Sequence, residues 1–353
     1  MNKKSKEFLN AILTHPSPSG FEEPVQKIVR EYAADFADRV DTDVHGNVMA
    51  VRNPDSPFRI MLAGHCDQIG FIVNYIDPDG FIYFLGLGGW DPQVIIGSHV
   101  NIWGANGPVH GIIGKKPIHL LTEDERKKVP KIQDLWIDIG AANKEEAEKA
   151  VRVGDPITVA LEWNELMNEN IASPATDDKV GLWVIMEALR RINPKKLSCG
   201  VYAVSTVQEE VGLRGAKTSS FGIDPAVGIA VDVTHATDCP TIDKKANGEV
   251  KLGSGPAIGV GPNINRKLLD ALCKTANEHE IPYQLSAEPR ITGTDAASIQ
   301  VSRAGVAAAL ISIPNRYMHT PVEIVSLKDM EAAADLIARY CESVEPDTSY
   351  IPG

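Results

Sequence analysis

What the chain lacks narrows it first. No apolar run approaches the roughly 18 residues expected of a membrane-spanning helix, so no membrane association is expected. The opening stretch, MNKKSKEFLNAILTHPSPSG, begins basic. Its apolar residues Phe8, Leu9, Ile12 and Leu13 are spaced as one helix face rather than as the continuous core of a secretory signal. Cysteine is sparse: Cys66, Cys199, Cys239, Cys273 and Cys341 are scattered, with no Cys-x-x-Cys pair. Neither a disulfide framework nor a zinc–cysteine site is indicated, and small buried thiols in a reducing, cytoplasmic compartment are expected. Basic residues are in deficit: 35 Lys and Arg against 47 Asp and Glu leave a net charge of −12, the opposite of a nucleic-acid binder's basic stripe. Aromatics make up only 6% of the chain, and no cluster of them offers a platform for sugars.

What is present is ordinary globular material: 353 residues, 43% hydrophobic, enough for about two domains at roughly 150 residues each. The stretch 21–37 (FEEPVQKIVREYAADFA) places acids in a first turn and Val25, Ile28, Val29 and Tyr32 on one face, which predicts a helix. VDTDVHGNVMAVR and FRIMLAGH read as strands around turn residues. From about Phe71 to Glu169 the texture changes to hairpin signals such as DPDG and GANG, interrupted by a short helix at 143–151 with Asn143 as cap and Glu146 placed for a capping box. This predicts a small β-rich domain, 71–169, inserted into a larger domain formed by 1–70 and 170–353. From Ser173 onward, apolar strands (199–207, 226–233, 306–313) alternate with helices (178–191, 266–279 capped by Asn265, 295–303, and a last one capped by Ser326). The pattern predicts an α/β domain with a largely parallel sheet.

In such sheets, sites gather at the carboxyl ends of strands. Four apolar strands here end in potential metal ligands: RIMLAGHCD at His65 and Asp67, VYAVSTVQEE at Glu209 and Glu210, GIAVDV at Asp232, and AALISIPNRYMHT near His319. Asp177 and Asp178 precede the helix at 178, where Asp178 serves equally well as a cap. Charged groups at the ends of buried strands are costly unless paired or coordinated. Two imidazoles and several carboxylates suit zinc, cobalt or manganese, and their number exceeds what one tetrahedral ion needs. Neighbouring residues of a regular strand face opposite ways, so Glu209 and Glu210 can share a cavity only if the strand has ended. Gly212 permits that turn.

The ordered motifs GHCDQIGFIV, GGWDPQVIIGSHV, DLWIDIGA, ATDDKVG, QEEVGLRGA, DVTHATD and IPNRYMHTPVE resemble the tetrahedral, or glutamyl-aminopeptidase-type, dinuclear metal aminopeptidases among the co-catalytic zinc exopeptidases. The resemblance implies a mixed, mostly parallel sheet flanked by helices, with an inserted small β-barrel serving dimerisation, and dimers assembling into a hollow dodecamer. It implies two divalent ions per subunit, zinc with cobalt or manganese as alternatives. His65 and Asp232 would hold one ion and Glu210 and His319 the other, with Asp177 shared between them. Glu209 would be general base and acid, Asp67 would orient His65, and the Asp177–Asp178 peptide would be cis. The activity implied is removal of N-terminal residues from short peptides. Gln68 departs from the acid common in this family and removes a negative charge beside the metals; Thr320 stands where serine is common. A glycoside hydrolase using two carboxylates is a competing reading, as is a dinuclear hydrolase of another amide such as N-acyl amino acids, or a binder without activity. Loops near 255–262, 287–294 and 314–318 are expected to wall the substrate pocket, with Arg290 and Arg316 as candidate anion contacts or salt-bridge partners.

Overall fold

In a computed structural model, which describes residues 1–352, the chain folds as a large mixed sheet covered by helices and a separate closed barrel. Four strands form the centre of the sheet in the order Gly200–Thr206, Arg59–His65, Val227–His235 and Ala307–Arg316, all mutually parallel. Their sequences are near-continuous apolar runs because both faces are covered, which is the usual condition of parallel strands. Away from this centre the pairing turns antiparallel. Arg39–Thr42 and Val48–Arg52 form a hairpin at one side, and Ile324–Ser326, Asn170–Ala172 and Asn164–Glu165 complete the other. The sheet is mixed: its central strands are parallel, while its flanks pair antiparallel, some through short connections and some, such as Val48–Arg52 on Gly200–Thr206, between strands far apart in sequence.

One face carries the helices Lys3–Thr14, Glu23–Ala33, Thr176–Arg191, Arg266–Glu278 and Leu327–Ser343, whose apolar stripes join the sheet in the main core. The other face is thinner: Ala216 and Ile223 from Arg214–Ile223 and Ile299 from Asp295–Gln300 pack on Met61, Ala63 and Val204. The Asp295–Gln300 helix is shorter than the predicted 295–303, because Arg303 and Gly305 take positive φ and turn the chain back.

Six antiparallel strands close the barrel: Gly70–Ile76, Ile82–Leu87, Trp136–Asp138, Gly107–Gly114, His99–Gly104 and Pro156–Val159. It has its own core around Phe71, Phe84, Val100, Ile137 and Ile157. Asn164 and Glu165, placed with the insert on sequence, pair with Ala172 and Ile171 of the large sheet instead. The barrel helix is Lys144–Ala150. Asn143 caps it by accepting from the Glu146 amide at 3.0 Å, while the Glu146 carboxylate reaches back to the amide of Ala142, one residue short of a capping box.

Candidate metal centre

Parallel pairing brings the carboxyl ends of the central strands to one edge. Thr206 lies opposite His65, and the register of Ala230 on Ala63, carried two residues further, brings Asp232 beside His65. Asp232 is not at its strand's end as the sequence pattern predicts. The strand continues to His235, and the Asp232 carboxylate leaves it sideways into the site.

The loop after Thr206 carries the two glutamates. Gln208 and Leu213 adopt left-handed φ and Gly212 has φ 121°, so the chain curls at the strand's end and both glutamates turn to the same side. Their main chain is held by Asp67, whose Oδ1 accepts from the Glu209 amide at 2.9 Å and whose Oδ2 accepts from the Glu210 amide at 3.2 Å and the Ser19 hydroxyl at 2.7 Å. His65 Nδ1 lies 3.0 Å from the Asp67 carbonyl and 3.6 Å from the Asp67 carboxylate. Asp67 therefore orients His65 mainly through its backbone and spends its carboxylate on the glutamate loop.

Around this frame the donors sort into two groups. His65 Nε2 lies 3.2 Å from Asp177 Oδ1, 3.8 Å from Glu209 and 4.0 Å from Asp232 Oδ1. His319 Nε2 lies 3.4 Å from Asp177 Oδ2 and 3.6 Å from Glu210 Oε2. Each oxygen of Asp177 thus faces a different imidazole. Asp178 is near as well, forming a cluster with His65 and Asp232. Its oxygens, however, are occupied by backbone amides: Oδ1 accepts from Gly181 at 3.0 Å and Oδ2 from His65 at 3.2 Å. Asp177 Oδ1, Glu209 Oε1 and Glu210 Oε1 are buried without a hydrogen-bond partner. The dihedral angles at Asp177 and Asp178 are non-helical, so Asp178 caps the regular turns that follow while Asp177 projects into the cavity, and the peptide between them is cis.

The electrostatics describe a donor set short of positive charge. Burial pushes the Glu209 carboxyl up to about 10, with neighbouring Asp232, Asp295 and Glu210 adding to the rise against the opposing pull of His65. Burial and the Asp177 charge raise Glu210, and burial also raises Asp232 well above the carboxylate range. Hydrogen bonds to Asp177 and Glu210 lift His319 to about 11. Burial raises Asp177 too, but the nearby imidazoles of His319 and His65 outweigh it and hold this carboxyl below its usual value. Buried, unpartnered carboxylate oxygens crowded around two imidazoles fit multivalent cations, which would replace missing hydrogen bonds and repulsion with coordination.

Other residues singled out on sequence lie outside this cluster or are already paired. Gln68 is buried, and its amide oxygen accepts from Lys179 Nζ at 2.7 Å, so the charge lost at this position faces a buried lysine that burial lowers to about 7. Arg316 is bound to Asp238 through two hydrogen bonds of 2.8 and 2.7 Å, and Arg290 is exposed. Two buried acids were not foreseen. Asp295 is hydrogen-bonded by Thr206 at 2.6 Å, and the Glu323 carboxylate accepts from Thr176, Asp177 and His319. Glu323 sits four residues after His319 in a motif that already stood out, which was the available signal. Asp295 offers only a lone acid at a helix start. The barrel closes one side of the site: a Cβ at Gly89 would come within 3.4 Å of His319 Nδ1.

Comparison with known proteins agrees with this chemistry. Residues 46–336 match the family model described as M42 glutamyl aminopeptidase. A lysyl aminopeptidase of Pyrococcus furiosus is 38% identical, the match covering 96% of this chain and 97% of that protein. The crystal structure of a TET aminopeptidase from the marine sediment archaeon Thaumarchaeota archaeon SCGC AB-539-E09 superposes with a TM-score of 0.93 at 39% identity, covering 97% of each chain. The Pyrococcus horikoshii TET1 peptidase, which can assemble into a tetrahedron or a large octahedral shell, superposes at 0.85 with 31% identity, covering 96% of this chain and 100% of that one.

Proposed function

We propose, from the premise that this chain belongs to the M42 glutamyl aminopeptidase family and is a metal-dependent aminopeptidase, a specific division of labour among its residues. His65 and Asp232 would hold one divalent ion and His319 and Glu210 a second, with Asp177 a donor to both. The observation that carries this reading is the placement of Asp177, with one oxygen 3.2 Å from His65 and the other 3.4 Å from His319. Zinc is the proposed metal, since two imidazoles with carboxylates are ordinary zinc donors, and cobalt or manganese suit the same set.

When bound, such ions supply Lewis acidity, polarising a carbonyl and making water acidic near neutral pH. Glu209 Oε1 has no hydrogen-bond partner, and with bound cations offsetting the burial and carboxylate repulsion that raise it, its carboxylate would take a proton from the attacking water and return it to the departing amine. Asp67 fixes the loop on which Glu209 and Glu210 ride, so the proton carrier and a metal donor keep a constant relation. The unpaired acidic groups around the cavity attract the free α-ammonium of a short peptide, which places the first peptide bond against the donors and disfavours N-acylated substrates. Glu209 and Glu210 each lie close to an imidazole, which suits metal-assisted hydrolysis better than the carboxylate pair of a glycoside hydrolase.

Several further assignments belong to the same proposal. The barrel acts as a dimerisation unit within the 71–169 insert, and dimers close into a dodecamer; the relative that assembles into a tetrahedron supports this. The five free cysteines support a cytoplasmic location. The test is a panel of free and N-acylated aminoacyl anilides with chelated and zinc-reloaded enzyme, together with elemental analysis. The expected result is two ions per chain, chelator-sensitive cleavage of the free substrates, and one ion in His319→Ala. Two ions retained in His319→Ala would refute the donor assignment.

A further inference from the structure

His65 and His319 are held in different ways. His65 is 2% exposed, and its Nδ1 faces the Asp67 carbonyl at 3.0 Å, the usual means by which a ligating imidazole is aimed. The His319 side chain is 36% exposed, and its Nδ1 has no hydrogen-bond partner among the described residues. Its ring therefore lacks the Nδ1 hydrogen bond that aims His65. Its backbone is also in a costly conformation: Tyr317 and His319 have φ of 64° and 60°, and Ala175, two residues before Asp177, has φ 65°.

One side chain binds both of these strained segments. Glu323 is 1% exposed. Its Oε1 accepts from the His319 amide at 2.8 Å, and its Oε2 accepts from the Asp177 amide at 2.9 Å and the Thr176 hydroxyl at 2.9 Å. The network extends further: the Ser173 amide donates to the Glu323 carbonyl at 3.1 Å, and Asn315 donates to the Thr176 hydroxyl at 3.0 Å. With three donors on its two oxygens, and no place in either of the clusters able to hold a metal, Glu323 has the contacts of a clamp rather than of a ligand.

We propose that Glu323 is a positioning residue that sets the separation of Asp177 and His319, and through it the affinity of the ion those two side chains share. The inference rests on the donor assignment above and adds to it the group that makes the His319 half of the centre possible. A planar carboxylate between two main-chain amides fixes their spacing, so the exposed imidazole is aimed from its backbone instead of from its ring.

Glu323→Gln tests this in the full-length protein, because the isosteric amide has one acceptor oxygen. Its NH2 must oppose either the His319 or the Asp177 amide. Calorimetric zinc titration of the metal-free variant, folded by circular dichroism, is expected to show the His319 site weakened about 10–100-fold and the His65 site, which shares only Asp177 with the clamp, weakened less. At limiting zinc kcat falls, excess zinc restores it, and KM is unaltered. A titration superimposable on that of the wild type overturns the proposal. If Glu323→Gln does not fold, the same titration of Thr176→Val, which removes one donor from the clamp, is expected to show weaker zinc binding that Thr176→Ser recovers; unchanged binding in Thr176→Val overturns it equally. The outcome is separable from the donor assignment. His319→Ala losing an ion while Glu323→Gln binds normally sinks only the clamp, whereas His319→Ala keeping both ions sinks the assignment itself.

Discussion

Glu209 and Glu210 are adjacent yet differently employed, and substitution separates them. Glu209→Gln keeps the size and the buried setting but removes the proton carrier. Turnover is expected to fall by about 10²–10⁴-fold while elemental analysis still finds both ions; near-normal turnover would remove Glu209 from the mechanism. Asp67 makes a subtler prediction. Its oxygens accept from the amides of Glu209 and Glu210 and the hydroxyl of Ser19. An asparagine there must turn an NH2 toward one of these donors, so Asp67→Asn is expected to lose about 1–3 kcal/mol of stability in a denaturant titration and to lower kcat more than it raises KM. A drop in zinc affinity alone, with kcat intact, would return Asp67 to the simpler role of orienting His65. Sequence reading picked out side chains that the fold brings together where they sit at the end of an apolar run, as with His65, Glu209 and Glu210. It was blind to partners made by folding. Nothing local says that Asp67 grips the loop after a distant strand, or that Gln68 faces Lys179.

At the scale of elements, the centre depends on how closely the Thr176–Arg191 helix lies on the Arg59–His65 strand. The contact is made through glycines. A Cβ at Gly64 would come within 2.7 Å of the Gly181 carbonyl carbon and the Leu182 amide, both main-chain atoms of the helix. Gly64 precedes His65, and Asp177 lies in the irregular first turn of the helix, so anything that separates the two elements separates two donors. Gly64→Ala is expected to cost about 1–3 kcal/mol through overpacking and to weaken zinc binding. Loss of stability with unchanged zinc affinity would show that the centre tolerates displacement of its helix. Periodicity predicted this helix and strand within a residue or two, along with the caps at Asn265 and Ser326. It placed Asp232 at a strand end and residues 164 and 165 in the insert for the same reason: hydropathy marks where burial occurs but not which neighbour supplies it.

For the whole molecule, the surface of the barrel argues for assembly. Ile118, Leu120 and Val129 are each more than 60% exposed, and Ile112 and Leu85 more than 40%, all within the insert. Large apolar side chains gathered on one unit of a protein are a common mark of an interface. The net charge of −12 works the other way, since copies of an acidic chain repel one another. For copies to assemble, burial of that apolar surface has to exceed the repulsion, and the balance depends on ionic strength. Light scattering at physiological salt is expected to give about 460 kDa for a closed set of twelve chains of 38.2 kDa, in line with the preference of soluble proteins for closed symmetry. Lowering the salt strengthens repulsion and shifts the mass toward dimers. Leu120→Glu, which puts a further negative charge on the apolar patch, is expected to do the same at physiological salt without removing zinc, since this residue lies outside the donor set. A monomer under every condition would overturn the assembly and leave the metal chemistry standing. A wild-type assembly with Leu120→Glu at full mass would move the interface away from this part of the barrel.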